Sequence, residues 1–155
     1  MVKLLFVCTG NICRSPTAEG IFRQRLRECG LEERILVDSA GMHGFHHGEP
    51  PDRRSIATAR QFGIDIADLR ARQVRPIDLD LFDIIAVMEQ SHRRQLLKLR
   101  SAPPKGEVRL LLGNAEVPDP YYDDSHFVPV YRIIEQGVDA LFAEVRNKLN
   151  GSSGS

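Results

Sequence analysis

The sequence lacks three features that would place it in a special class of protein. Its 21 basic and 21 acidic residues cancel, so it has no net field to attract nucleic acid or an anionic membrane surface. No apolar run approaches the roughly 20 residues that a membrane span needs. Its three cysteines are too few, and odd in number, for a disulfide framework. These absences favour a protein of the reducing cytoplasm, with neither membrane nor nucleic acid as a partner.

Length and composition predict one domain. The chain has 155 residues, of which 42% are hydrophobic and 27% charged, and this is ordinary globular composition. The first residues lead directly into a predicted strand, without the charged and then apolar layout of a signal peptide. We therefore expect a single domain over residues 1–150. Residues 151–155 are glycine and serine only, and we expect them to form a flexible tail outside the fold.

The most informative stretch lies between the first predicted strand and the first predicted helix. The strand is a run of apolar residues that ends at Cys8. The helix is predicted to begin with Ser15 as its N-cap and Pro16 at its first position. Between them, Gly10 and Asn11 are residue types that tolerate left-handed backbone angles. Such a loop can turn successive N–H groups toward one point at a helix N-terminus, which predicts an anion-binding site.

The side chains at the two ends of this loop suit attack on a phosphoryl group. Cys8 begins the loop, and a helix N-terminus or a nearby cation favours the thiolate, which is the reactive form of cysteine. Besides capping the helix, the Ser15 hydroxyl is expected to point into the loop and stabilise this thiolate. Arg14 ends the loop and can bind a phosphoryl group through two parallel hydrogen bonds, which a lysine cannot do. This Cys-x5-Arg-Ser pattern between an apolar strand and a helix predicts a nucleophile that attacks phosphorus while the loop binds the equatorial oxygens.

Transfer of a phosphoryl group to sulfur also needs a proton for the departing oxygen. A carboxylic acid at the rim of the site can supply this proton and can later accept one from water. Asp119 is one candidate, because the proline after it stiffens the loop and fixes the direction of the side chain. Asp123 and Asp124 are competitors, and all three could instead be solvated turn residues before the last helix. From these residues alone the choice of the acid stays open.

Strands alternate with helices along the rest of the chain. This alternation is typical of an open parallel sheet covered on both faces, in which ligands bind beyond the carboxyl ends of the strands. The predicted strands cover residues 4–8, 35–39, 82–88 and 108–112. The predicted helices cover residues 16–28, residues 52–62 with Asp52 as N-cap, a segment capped by Ser91, and residues 128–149.

The chain resembles the low-molecular-weight protein tyrosine phosphatases in the segment VCTGNICRSP at residues 7–16. The resemblance implies a four-stranded parallel sheet of order 2-1-3-4, with helices on both faces and the phosphate-binding loop after strand 1. One departure is Leu69, where the family commonly has a histidine that braces the asparagine of the loop. Further matching segments, in the family's order, are DSAG at residues 38–41, GEPPD at 48–52, ARQ at 71–73 and DPYY at 119–122.

The resemblance implies a phosphoric monoester hydrolase that acts on tyrosine-phosphorylated proteins through a cysteinyl-phosphate intermediate, without a metal or another cofactor. Cys8 would be the nucleophile, Arg14 would bind the phosphoryl group, and Asp119 would act as general acid and then as general base. The residues that would surround bound phosphate or another oxyanion are Thr9, Gly10, Asn11, Ile12, Cys13 and Ser15. The aromatic residues that would flank the substrate cleft are Phe45, Tyr121 and Tyr122.

Several of these residues also allow a structural interpretation. Phe45 could belong to the hydrophobic core, and Tyr121 and Tyr122 could seal the start of the last helix. Cys13 could be a small inert residue, since the backbone does the binding in such a loop. Alternatively, its thiol could capture oxidised Cys8 as a reversible disulfide.

Three histidines in one loop suggest a metal site. His43, His46 and His47 lie close together in the sequence, but no fourth ligand has a plausible position. A solvated loop at the rim of the cleft is the favoured interpretation.

Three other functions fit parts of the pattern. A thioredoxin-linked arsenate reductase on the same fold needs relay cysteines, but no cysteine follows Cys29. The protein-arginine phosphatases resemble this chain but carry threonine at the position of Ile12, so Ile12 favours phosphotyrosine. A non-catalytic phosphopeptide-binding module would not need Cys8, Arg14 and Asp119 together.

Overall fold

The computed structural model describes residues 1–153, in which four parallel strands form one sheet of order β2-β1-β3-β4. The predicted α/β fold and its strand order 2-1-3-4 are therefore confirmed. Each strand end lies within two residues of its prediction. The strands are β1 (Val2–Cys8), β2 (Ile35–Gly41), β3 (Ile84–Val87) and β4 (Glu107–Leu110).

Helices follow the strands, and two short helical segments were not expected from the sequence. None of the helices within residues 1–153 has both the length and the apolar character that crossing a membrane requires. The tail predicted at residues 151–155 lies partly outside the described residues and stays a prediction. The helices are α1 (Arg14–Cys29), α2 (Arg53–Gln61), α3 (Asp78–Leu81), α4 (Gln90–Leu97) and α5 (Phe127–Ser153), and a 3₁₀ turn covers Asp124–His126.

Strand β1 determines the layers of the fold. Successive side chains of a strand point to opposite faces, and Leu4 and Phe6 pack with α1, α2 and α5, whereas Leu5 and Val7 pack with α3 and α4. All four of these side chains are fully buried, and each such burial contributes about 1.5–3 kcal/mol. An apolar strand of this kind requires a cover on both faces, which the helices provide.

Helix α1 begins earlier than predicted. Its first residue is Arg14, and Cys13 occupies the N-cap position without a side-chain capping hydrogen bond. The prediction of Ser15 as N-cap and Pro16 as first helical residue was wrong, because both lie inside the first turn. The Ser15 hydroxyl is instead 3.0 Å from the Cys8 sulfur. The hydroxyl therefore lies beside Cys8, as its second expected role requires, and does not cap the helix.

Helix α4 also begins differently. Glu89 occupies its N-cap position and Gln90 is its first residue, so the prediction that Ser91 caps the helix was wrong. The N–H of Gln90 is bound by the Glu116 carboxylate at 2.7 Å, which satisfies the helix end without a serine cap. Asp52 caps α2 as predicted, since its carboxylate accepts a backbone N–H.

The carboxyl ends of β1 and β2 meet beneath the loop that follows β1. Cys8 is paired with Gly41, and a Cβ atom added to Gly41 would lie 2.8 Å from the carbonyl carbon of Gly10 and 2.9 Å from the nitrogen of Asn11. Only glycine permits this approach. The end of β2 therefore supports the loop directly, at the point of the sheet where ligands bind in such folds.

Candidate active site

One asparagine fixes the loop between β1 and α1. Asn11 has a left-handed φ of 60°, whereas Gly10 does not need the positive φ that the sequence suggested. The side-chain amide of Asn11 donates to Ser15 Oγ at 2.8 Å and to Ser39 Oγ at 3.0 Å. Its side-chain carbonyl accepts the N–H of Arg72 at 3.0 Å. These hydrogen bonds hold a strained residue in a single conformation.

The support of Asn11 continues into the core. Ser39 accepts from Asn11 and donates to Glu19 at 2.6 Å, and burial raises the pKa of Glu19 against the opposing hydrogen bonds of Ser39 and Arg23. Leu69, at the position where a bracing histidine was expected, packs against the apolar core. Asn11 is thus braced without a histidine, by Ser39 and by backbone.

The sulfur of Cys8 lies at the base of the loop, where the residue is 2% exposed. The backbone N–H of Asn11 donates to it at 3.3 Å, and Ser15 Oγ lies 3.0 Å away. Ser15 Oγ accepts from the Asn11 amide, and its own proton can point to the sulfur or, over a longer distance of 3.4 Å, to the carbonyl oxygen of Ala40. The Asn11 N–H and the Ser15 hydroxyl are thus two groups that can donate to this sulfur.

Arg14 is buried beneath the loop, and some of its N–H donors form no hydrogen bond with any described residue. Its Nη1 donates to Glu89 Oε2 at 2.6 Å and to the carbonyl oxygen of Val117 at 2.9 Å. Its Nη2 donates to Thr9 Oγ1 at 3.1 Å. A guanidinium has five N–H donors, so two remain, the Nε–H and one on Nη2, that form no hydrogen bond within residues 1–153, although Asp119 Oδ2 lies 3.7 Å from Nη2. These two donors are available to a bound oxyanion.

Two residues behind Arg14 were missed by the sequence analysis. Burial opposes ionisation of Glu89, but the hydrogen bond and charge of Arg14 outweigh it and lower the pKa of Glu89. His92 is 3% exposed, and burial together with the charge of Arg14 lowers its pKa to about 4. The available signal was their position directly after β3, whose carboxyl end adjoins that of β1.

Asp119 lies across the cavity from Cys8 and next to Arg14. Its Oδ2 is 3.7 Å from Arg14 Nη2, and its side chain is 35% exposed. Its Oδ1 accepts the N–H of Tyr121 at 3.1 Å, which fixes the direction of the carboxyl group. Asp119 is therefore close to the anion site and open to solvent.

The two competing aspartates point elsewhere. Asp123 accepts hydrogen bonds from the N–H and the hydroxyl of Ser125. Asp124 pairs with Arg54 at 2.7 Å. Neither lines the cavity that Asp119 lines, so Asp119 is the one of the three that faces the loop.

A cavity of about 190 Å³ lies over the loop. Asn11 and Ser15 do not line it and act from behind the loop, through the contacts described above. The other predicted site residues do line it, namely Cys8, Thr9, Gly10, Ile12, Cys13, Arg14, Phe45, Asp119, Tyr121 and Tyr122.

Aromatic side chains form the outer wall of this cavity. Phe45 is 85% exposed, which excludes a place in the core, and it stacks on His43 with 4.3 Å between ring centroids. Tyr121 and Tyr122 meet edge to face at 5.2 Å. His46 completes the rim beside His43. Within residues 1–153, no three or more His, Cys, Asp or Glu side chains are grouped to hold a metal ion.

Cys13 faces away from bulk solvent. It is 6% exposed and lines the inner wall of the cavity. Burial raises its pKa to about 12, against the opposing hydrogen bond of Ser55. Cys13 is therefore a thiol at neutral pH.

A parallel sheet of this order, with a Cys-x5-Arg loop after its first strand and an aspartate across the cavity, is the arrangement of a small phosphatase. Residues 3–151 match the family model described as low molecular weight phosphotyrosine protein phosphatase. The chain belongs to this family.

Named relatives support the assignment. The chain is 39% identical over 154 residues to the low molecular weight protein-tyrosine-phosphatase YfkJ of Bacillus subtilis, covering 96% of this chain and 98% of YfkJ. The crystal structure of YfkJ superimposes with a TM-score of 0.89 over 96% of each chain. The human low molecular weight phosphotyrosine protein phosphatase is 37% identical, over 84% of this chain and 87% of its own. Vibrio vulnificus Wzb, solved with benzylphosphonate, is 28% identical with a TM-score of 0.81, over 92% of this chain and 98% of its own.

Proposed function

We propose that this protein hydrolyses phosphotyrosine in proteins through a cysteinyl-phosphate intermediate. The observation that carries the proposal is the meeting of Cys8, Arg14 and Asp119 at one cavity with aromatic walls. The names of the relatives support a phosphotyrosine substrate. The benzylphosphonate bound by Wzb combines an aromatic ring with a phosphonate group, as this cavity would require of its own ligand.

The first step transfers the phosphoryl group to sulfur. The Cys8 thiolate attacks phosphorus, and the bond from phosphorus to the phenolic oxygen breaks as the sulfur–phosphorus bond forms. The loop and the two remaining N–H groups of Arg14 bind the equatorial oxygens, where charge is concentrated in the transition state. Asp119 gives its proton to the departing phenolic oxygen.

The second step releases inorganic phosphate. The Asp119 carboxylate takes a proton from a water molecule, which attacks phosphorus as the bond to sulfur breaks. Negative charge then returns to Cys8. The Ser15 hydroxyl, 3.0 Å from the sulfur, stabilises this charge without further movement.

The walls of the cavity select the substrate. Phe45, Tyr121 and Tyr122 present flat apolar surfaces to the opening, and an aryl ring between phosphate and peptide would reach the loop while contacting them. Phosphoserine is too short to do both. Ile12 adds an apolar contact at the position that distinguishes the protein-arginine phosphatases, which favours an aryl phosphate.

Leaving-group dependence tests the assigned acid. The tyrosine hydroxyl has a pKa of about 10, so its oxyanion departs badly without a proton, whereas p-nitrophenolate is a far weaker base. Asp119→Asn should therefore lower kcat/KM for phosphotyrosine by about 10²–10⁴-fold and should affect p-nitrophenyl phosphate much less.

The matched controls are Asp123→Asn and Asp124→Asn. Each removes one carboxylate charge from the same loop without removing a carboxylate from the cavity, so neither should change the ratio of the two substrates. Equal slowing of both substrates by Asp119→Asn, with leaving-group dependence in a control variant, would place the acid at another aspartate.

A further inference from the structure

Thr9 and His92 contact each other next to the anion site. Neither of the two proposed chemical steps involves this contact. His92 Nε2 lies 2.9 Å from Thr9 Oγ1, across 83 positions of sequence. The same oxygen accepts the N–H of Arg14 Nη2 at 3.1 Å. The pair therefore connects helix α4, which carries His92, to the guanidinium that faces the substrate.

The protons of this pair follow from what each group can donate. Arg14 can only donate, so Thr9 Oγ1 is the acceptor in their contact. In the tautomer of neutral His92 that carries its proton on Nδ1, Nε2 accepts the hydroxyl proton of Thr9. The lowered pKa of His92 is consistent with a neutral ring. His92 thus turns the Thr9 hydroxyl so that its lone pairs face Arg14.

The remaining ring nitrogen argues against a purely structural role. Nδ1 of His92 is buried and has no hydrogen-bond partner within residues 1–153. An unpaired buried polar atom costs free energy of folding, and an apolar side chain of similar size would avoid that cost. The imidazole is therefore better explained by its contact with Thr9 than by stability.

The guanidinium needs a contact at Nη2 to be fully oriented. Glu89 and the carbonyl of Val117 both hold Nη1, so these two contacts leave the plane free to tilt about that end. The Thr9 contact at 3.1 Å is a hydrogen bond at the other terminal nitrogen, from which the Asp119 carboxylate is farther away at 3.7 Å, and it restricts this tilt. The Nε–H and the second Nη2 N–H, which are left for the oxyanion, then point in a fixed direction.

We propose that His92 is a positioning residue for phosphate binding, which acts through the Thr9 hydroxyl to fix the plane of the Arg14 guanidinium. The inference rests on the proposed function in one respect, namely that Arg14 binds the phosphoryl group. His92 itself does not touch the substrate.

A double-mutant cycle tests the proposal. Thr9→Val removes the hydroxyl at constant shape, and His92→Leu removes the imidazole. Each should weaken binding of inorganic phosphate, measured by calorimetry, and lower kcat/KM for p-nitrophenyl phosphate by roughly tenfold, the upper range for one hydrogen bond. The double variant should be no worse than either single variant, because both remove the same contact.

Two further variants separate positioning from structure. His92→Gln keeps an acceptor near the position of Nε2 and should retain phosphate affinity within about threefold of the wild type, a loss smaller than that of a whole hydrogen bond. Gln95→Leu, at an exposed position of the same helix, should change nothing. His92→Leu should lose phosphate affinity without a lower urea midpoint. If it fails to fold, His92 is structural and the proposal is overturned.

Other outcomes also overturn the proposal. Additive losses in the double variant, or a His92→Gln protein as weak as His92→Leu, would show that His92 does not act through Thr9. Failure of the proposed function has a different signature, because phosphate binding is measured without turnover. A wild-type protein that binds phosphate but does not hydrolyse phosphotyrosine would contradict the function and leave the cycle valid.

Discussion

Replacing Arg14 with lysine should nearly abolish turnover, although the positive charge is kept. Three N–H groups of Arg14 donate to Glu89, Val117 and Thr9, and two are left for the proposed contact with the oxyanion. A lysine ammonium has only three donors. If it satisfies the buried acceptors, it has none left for the phosphoryl group, and if it turns to the phosphoryl group, it leaves those acceptors unpaired.

The magnitude follows from the two donors that are lost. A hydrogen bond to a charged group is worth about 1.5–3 kcal/mol, so both together contribute about 3–6 kcal/mol to the transition state. This corresponds to a loss of about 10²–10⁴-fold in kcat/KM. The loss should be seen equally with phosphotyrosine and p-nitrophenyl phosphate, because the proposed role of Arg14 is to bind the phosphoryl oxygens and not the leaving group.

The assay is steady-state kinetics on both substrates, together with urea unfolding to show that the variant is folded. Arg53→Lys, at an exposed position of α2, is the matched control and should leave both parameters unchanged. If Arg14→Lys retained more than about a tenth of wild-type kcat, a loss below roughly 1.4 kcal/mol, the proposed binding of the transition state by Arg14 would be refuted.

Three further predictions concern residues near the loop. Ile12→Thr should shift the ratio of kcat/KM from phosphotyrosine toward phosphoarginine, since it replaces an apolar wall with a hydroxyl, and an unchanged ratio would refute this. Cys13→Ser should be inactivated irreversibly by mild peroxide, whereas the wild type should recover with dithiothreitol through a disulfide of Cys13 with Cys8; equal recovery would show that Cys13 protects nothing. Burial and the charge of Arg14 lower the pKa of His92 from 6.5 to about 4, so the unfolded chain takes up the proton first as pH falls. The contribution of neutral His92 to the free energy of unfolding is therefore complete above about pH 6.5. About 3 kcal/mol of this free energy is lost as the pH falls to about 4. Urea unfolding of His92→Gln should show a flatter pH dependence than the wild type, and identical slopes would contradict the assignment.

The phosphate loop can be predicted from sequence because its parts are local. Cys8, Asn11 and Arg14 lie in one short segment between a strand and a helix, so chain connectivity alone brings them together. Ser15 shows the limit of local rules. Its type and position predict both a helix cap and a contact with Cys8, and only the contact with Cys8 is formed.

The residue types alone could not identify which aspartate is the candidate general acid. Asp119, Asp123 and Asp124 are alike in sequence, and what separates them is the partner of each carboxylate. Asp124 is held by Arg54, whereas Asp119 faces Arg14. This distinction depends on how the last loop packs against α2, which periodicity and composition do not report.

The residues behind Arg14 were missed for a related reason. Glu89 and His92 reach the loop across 75 and 83 positions of sequence, and only the parallel pairing of β1 with β3 brings them there. The sequence shows that Leu69 stands where the family commonly has a histidine, but it does not show which residue supports Asn11 in place of that histidine. Ser39 supplies a hydrogen bond to Asn11 from the neighbouring strand.

The close approach of Gly41 to the loop limits which sequences can carry this site. Residue 41 does not line the cavity, yet any side chain there would displace the backbone of Gly10 and Asn11, and with it the anion site. Variants selected for turnover from a random library should therefore keep glycine at position 41 as strictly as cysteine at position 8. Intolerance to mutation at this position would result from the packing of backbone against backbone. A search for catalytic residues by mutational sensitivity alone would therefore wrongly include Gly41.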